Sequence, residues 1–243
     1  GIARDIIVLT PEEFERDRNQ LASHAQRDVY VKAADAYYLL RYAHEFGNGR
    51  PFRRDVAEWM LGSDGGLRLF IDTIGTADDW HECLRIIERL FDHDPHDRDR
   101  YSRLILALAV VWDQPRQPLH KQMGGQQLPY RPDITRRYDY FKELYGRGDA
   151  KIPYRELSVN ALRWVVDVPV PVSELRWARE NVRGSVRTWD EKYSDIDYDE
   201  NRARRGRYQW PHGPYTLASI AEHGGICVDQ GYYATITARA YGI

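Results

Sequence analysis

Cysteine, methionine and lysine are all scarce in this chain of 243 residues. There are two cysteines, Cys83 and Cys227, two methionines, and five lysines against thirty arginines. Two cysteines cannot build a disulfide framework, and no Cys-x-x-Cys or Cys/His spacing suits a structural zinc site. Net charge is nearly absent as well: 35 basic against 37 acidic residues leave a formal charge of -2. Without a basic field the chain is not expected to bind nucleic acid. The longest unbroken apolar run, Leu104 to Trp112, has nine residues, about half of what a bilayer crossing requires. No membrane span is expected. A length of 243 residues with 42% hydrophobic and 12% aromatic content suffices for a buried core and argues against extended disorder. Compartment and oligomeric state stay open.

What is present is helical periodicity. Leu21, Ala25, Val29, Ala33, Ala36, Leu40 and Ala43 form one stripe, closed by Gly47 and Gly49. Thr10-Pro11-Glu12-Glu13 reads as an earlier helix start. Trp80, Cys83, Leu84, Ile87, Leu90 and Phe91 form another stripe, which makes Cys83 a core residue. Tyr101 to Trp112 is apolar nearly all round and predicts a covered central helix. Pro115, Pro118, Pro129 and Pro132 with Gly124 and Gly125 predict a surface connection from 114 to 132. Helical spacing resumes at Ile134–Tyr145, Ser158–Val166 and Ser173–Val182, whereas 185–213 shows no stripe and reads as a linker or covering segment. Seven tryptophans at irregular intervals exclude a solenoid. The fold class is therefore mainly α, with a helical domain over 1–190 followed by a distinct region over 191–243.

Tyr215 to Gly231 is the sharpest local feature. Thr216 caps a short helix ending at His223, Gly224 stops it, and a second helix begins at or near Cys227. Cys227, Gly231, Ala234 and Ala238 make one face of small groups, flanked by Tyr232, Ile236 and Ala240. A thiol in the first turn meets unpaired N–H groups and the positive end of the helix dipole, which favours the nucleophilic thiolate. Gly224 and Gly225 leave room beside it for a carbonyl. Asp229 reads as a first-turn acid without catalytic role, and His223 as a helix-end residue rather than a base.

Gly225-Ile226-Cys227-Val228-Asp229, followed by Ala238-Arg239-Ala240-Tyr241-Gly242-Ile243, resembles the nucleophile motif of the transglutaminase-like superfamily of papain-type cysteine enzymes. The resemblance spans about 20 residues. It implies that Cys227 is the nucleophile, that its helix packs across a small antiparallel sheet, and that peptide or protein amides are the substrates. It also implies an upstream oxyanion donor, for which Gln209 and Trp210 are candidates. In that family the general-base His and an orienting Asp or Asn follow the nucleophile helix. All eight histidines here precede Cys227, so the chain is expected to be the N-terminal portion of a longer enzyme and inactive alone. A non-catalytic helical binding or scaffolding module and a pseudoenzyme are the alternatives.

No cofactor or metal is expected. Asp92-His93-Asp94-Pro95-His96-Asp97-Arg98-Asp99 lacks the glycine and terminal Glu of a calcium loop and reads as an interhelical loop. Ser63-Asp64-Gly65-Gly66 lacks the Lys of a phosphate loop, and no Gly-x-Ser-x-Gly elbow occurs.

Overall fold

The computed structural model describes residues 53–62, 66–75, 77–116 and 129–243. The stripe over 21–43, the helix start at Thr10 and Ser63-Asp64-Gly65 lie outside them. Among the described residues the chain is mainly α and has no β-strand, only the isolated bridges Arg116–Tyr130 and Tyr198–Gly225. It divides into two compact units, 1–113 and 114–243. The boundary expected at 190 falls inside the second unit, where helices from both sides of it pack together.

The first unit contains α1 (Arg54–Gly62), α2 (Gly66–Thr73), α3 (Trp80–His93) and α4 (Ser102–Trp112). Asp79 starts α3 by accepting from the backbone N–H groups of His81 and Glu82 at 3.0 and 3.1 Å, satisfying two donors that a helix start leaves unpaired. The Asp113 carboxylate in turn accepts from the Asp79 N–H at 2.6 Å, tying the start of α3 to the end of α4. Every residue from Leu104 to Trp112 is buried, with α2 and α3 packed on α4. The nine-residue apolar run is thus the centre of this unit. Cys83 is fully buried there, and burial, then Asp113, Asp78 and Asp79, push its thiol pKa well up. Asp94 is buried and accepts from the Asp97 N–H at 3.2 Å, while the Arg98 guanidinium lies 3.5 Å from the Phe91 ring centre. The acidic run 92–99 therefore folds back onto α3.

The second unit holds α5 (Ile134–Gly146), α6 (Val159–Val166), α7 (Val172–Asn181), α8 (Glu200–Arg204), α9 (Leu217–His223) and α10 (Cys227–Ala240). Asp133 and Ser158 cap α5 and α6. Arg137, with no exposed surface, donates to Val168 O at 2.6 Å and also to Val170 O, so one α5 side chain shapes the turn between α6 and α7. Helix α10 packs against α6, α7 and α9. The described residues contain no antiparallel sheet beneath it; helices fill that place. Its buried residues include Asp229, Tyr232, Tyr233, Ile236, Thr237 and Ala240, whereas Gly231, Ala234 and Ala238 are only half-buried. The small-residue face is thus the outer one, because the flanking aromatic residues carry more apolar area to bury.

Segment 185–213 is a covering layer rather than a free linker. It forms two 3-10 turns, Val186–Thr188 and Asp190–Tyr193, then the short α8. Trp189, Ile196 and Trp210 anchor it by burial. The Trp189 Nε1 donates to Thr237 Oγ1 at 3.3 Å, and the Gln230 side-chain amide donates to Ile196 O at 2.7 Å.

Candidate functional site

The start of α10 is built by glycines and one carboxylate. Gly224 ends α9 with φ +72° and donates to Ile220 O at 3.0 Å. A Cβ there would lie 2.5 Å from Asp197 O, so both the left-handed conformation and the close approach demand glycine. Gly225 pairs with the covering segment: its N–H donates to Asp197 O at 2.8 Å, and its carbonyl accepts from the Asp199 N–H at 2.9 Å. A Cβ on Gly225 would meet the Asp229 Cβ at 2.5 Å. The two glycines thus make room for protein atoms on the approach to the helix.

Asp229 has no exposed surface. One carboxylate oxygen accepts from Ile226 N–H at 2.9 Å and from Arg202 Nη2 at 2.6 Å; the other accepts from the Tyr215 hydroxyl at 2.9 Å. Three donors and a buried countercharge compensate its desolvation. Burial, then Asp229, raises the Tyr215 pKa far above its ordinary value, so that hydroxyl stays protonated as a donor. Arg202 also donates to the carbonyls of Arg207 and Tyr208, each at 3.1 Å, which folds the chain after α8 back onto it. Sequence reasoning placed Asp229 as an acid facing the dipole. The structure adds a buried partner 27 residues upstream, from the charge-rich run that reads as a linker or covering segment.

Cys227 is exposed and is the first residue of α10, directly after the N-cap Ile226. No hydrogen bond from another described residue reaches its sulfur. Tyr193 is its neighbour: partial burial, then Cys227 and Tyr198, raise the Tyr193 pKa, and a Cβ on Gly231 would lie 4.0 Å from the Tyr193 ring. Tyr193 and Tyr198, 39% and 50% exposed, leave an open aromatic margin in the covering segment.

The oxyanion candidates lie elsewhere on the unit. Trp210 is buried, edge-on to Tyr215 at 5.2 Å and to His212 at 5.1 Å, with the Arg202 guanidinium 5.4 Å from its ring centre. It thus belongs with the partners of Asp229. Residues 227 and 229 are separated by roughly 200° around a helix of 3.6 residues per turn, so Trp210 keeps company with the opposite face of α10 from the thiol. Gln209 is exposed and lines the same cleft as Trp210. The structure therefore does not bring Cys227 together with Gln209 and Trp210. His223, in the last turn of α9, stacks on His212 with ring centres 4.4 Å apart. Neither histidine is hydrogen-bonded to the thiol.

Chemically, this arrangement offers one accessible sulfur at the amino end of a 14-residue helix. The Asp229 carboxylate caps the same helix start through the Ile226 N–H and is itself paired with Arg202. No group of three or more His, Cys, Asp or Glu side chains able to hold a metal occurs among the described residues, and no helix there is long and apolar enough to cross a membrane. Comparison with family models, with curated proteins and with solved structures finds no match to this chain.

Proposed function

We propose that the second unit carries the nucleophile helix of a transglutaminase-like cysteine enzyme, which attacks amide carbonyls of peptide or protein substrates through Cys227 and forms a thioester. The observation that supports this reading is the position of Cys227, exposed at the first turn of α10 within the Gly225-x-Cys227-x-Asp229 spacing. Attack joins the sulfur to the carbonyl carbon, and the amine leaves with a proton delivered by a general acid. That proton donor, a histidine oriented by Asp or Asn in the family, is required from outside the described residues. Arg202 and Asp229 serve as positioning residues, because they hold the helix start without touching the sulfur.

Iodoacetamide labelling followed by peptide mass analysis tests the reading. Cys227 is expected to react severalfold faster in the folded chain than in the same chain in denaturant, as a nucleophile positioned for attack would. Cys83 is expected to react only on unfolding. A Cys227 rate equal to or below that of the denatured chain overturns the nucleophile assignment, since exposure alone makes a folded thiol at most as reactive as an unfolded one. That result would favour a non-catalytic module.

A further inference from the structure

A cleft of about 540 Å³ opens beside α8, lined by residues of 199–212. It lies on the Arg202 and Trp210 side of α10 and is separate from the thiol. Its charge balance is specific. The Asp199 carboxylate accepts from the Arg202 backbone N–H at 2.9 Å, and the Arg202 side chain is neutralised by Asp229 at 2.6 Å. Arg204 pairs with Glu200 outside the lining. Arg205 and Arg207 remain: both are exposed, both line the cleft, and neither has an ion-pair partner among the described residues. Two guanidinium groups two positions apart in the turn after a helix, free of ion pairs among the described residues, can grip one oxyanion with forked N–H pairs.

The walls add two further observations. Tyr208, half exposed, and the buried Trp210 with Pro211 give the lining an apolar, aromatic side. Two lining residues also carry buried N–H donors without a hydrogen-bond partner, Arg202 Nη1 and Trp210 Nε1. Both atoms lie behind the wall with no accessible surface, so the groups offered to a ligand are the exposed Arg205, Arg207 and Tyr208. A molecule bringing negative charge meets Arg205 and Arg207, and a flat ring suits the aromatic side.

We infer that the 199–212 cleft binds a small organic oxyanion, a carboxylate or phosphate carried on a flat ring, with Arg205 and Arg207 meeting the charge and Tyr208 and Trp210 the ring. Because Arg202 both lines the cleft and grips Asp229, binding stabilises the second unit. The site is independent of thiol chemistry at Cys227.

Calorimetric titration of the full chain with phenyl phosphate, benzoate and phenol tests this. Phenyl phosphate or benzoate is expected to bind with a Kd tighter than about 1 mM, and the tighter of the two identifies the preferred oxyanion. Affinity is expected to fall at least about tenfold in the exposed-surface double variant Arg205→Ala/Arg207→Ala, whose folding is checked by circular dichroism. Cys227→Ala is expected to bind as the parent does, so failure of the nucleophile reading leaves this result standing. Absence of binding by both anions, equal binding of phenol, or undiminished affinity in the double variant overturns the proposal.

Discussion

Helix α4 of the first unit and helix α10 of the second are buried by opposite means. Nine consecutive apolar residues bury α4, and no hydrogen-bonding side chain among them except the Trp112 indole needs a partner. Helix α10 is buried through Asp229, Gln230, Thr237 and two tyrosines as well as Ile236 and Ala240. The first kind of core is set by volume and tolerates sliding among similar hydrophobes. The second depends on hydrogen bonds of fixed direction, which hold a helix start and its neighbouring segment in one register. A unit that must present a particular atom at a particular place gains from the second kind.

The largest expected effect comes from breaking that polar core. Asp229→Ala leaves the Arg202 guanidinium, the Tyr215 hydroxyl and the Ile226 N–H without their acceptor, and is expected to destabilise the second unit by about 3–5 kcal/mol, measured by urea unfolding. Hydrogen exchange of the α4 amides, run alongside, is expected to be unchanged. Leu108→Ala is the converse probe: truncating a fully buried side chain of α4 is expected to cost about 2–5 kcal/mol, seen as faster exchange in α4 while α10 is unaffected. If either substitution loosens both helices equally, the two cores are not independent and the contrast fails.

The smallest effect sharpens the comparison by pH. The Glu174 carboxylate accepts from the Leu217 N–H at 2.7 Å, at the start of α9. Burial raises its pKa, opposed by that hydrogen bond. A carboxyl raised on folding binds its proton more tightly in the folded chain, so its contribution is fully present below the ordinary carboxylate range and declines as pH rises through and just above it. Glu174→Gln keeps an acceptor and removes the charge. Thermal unfolding at two pH values spanning that range is expected to show a smaller pH difference in this variant than in the parent.

Among the described residues, helices stand where the spacing predicts them, although the one expected to open at Ser173 begins at Val172 after Pro171. Asp133, Ser158 and Thr216 stand at the starts of α5, α6 and α9, and the stripe from Trp80 matches α3. Helices α1 and α2 lie where no stripe is singled out in the sequence. Helix α8 is hidden in a run of alternating charges, where propensity and solvation look the same. At the candidate site, Cys227 in the first turn of α10 is legible from Gly224, Gly225 and the following spacing. What the glycines do is not: they looked like space for a substrate, and the atoms nearest them are Asp197 O and the Asp229 side chain. Local pattern can mark a position that forbids a side chain. It cannot say which distant atom occupies the space, nor that Arg202 lies inside and Gln209 outside.

The three donors gathered on Asp229 come from separate stretches of chain: Arg202 before the loop that carries residues 205–214, Tyr215 after it, and Ile226 at the next helix start. One carboxylate therefore knots both shores of that loop to the same post. A protease nick within the exposed tip would open the peptide there, yet the severed ends would stay moored and the helix start would keep its place.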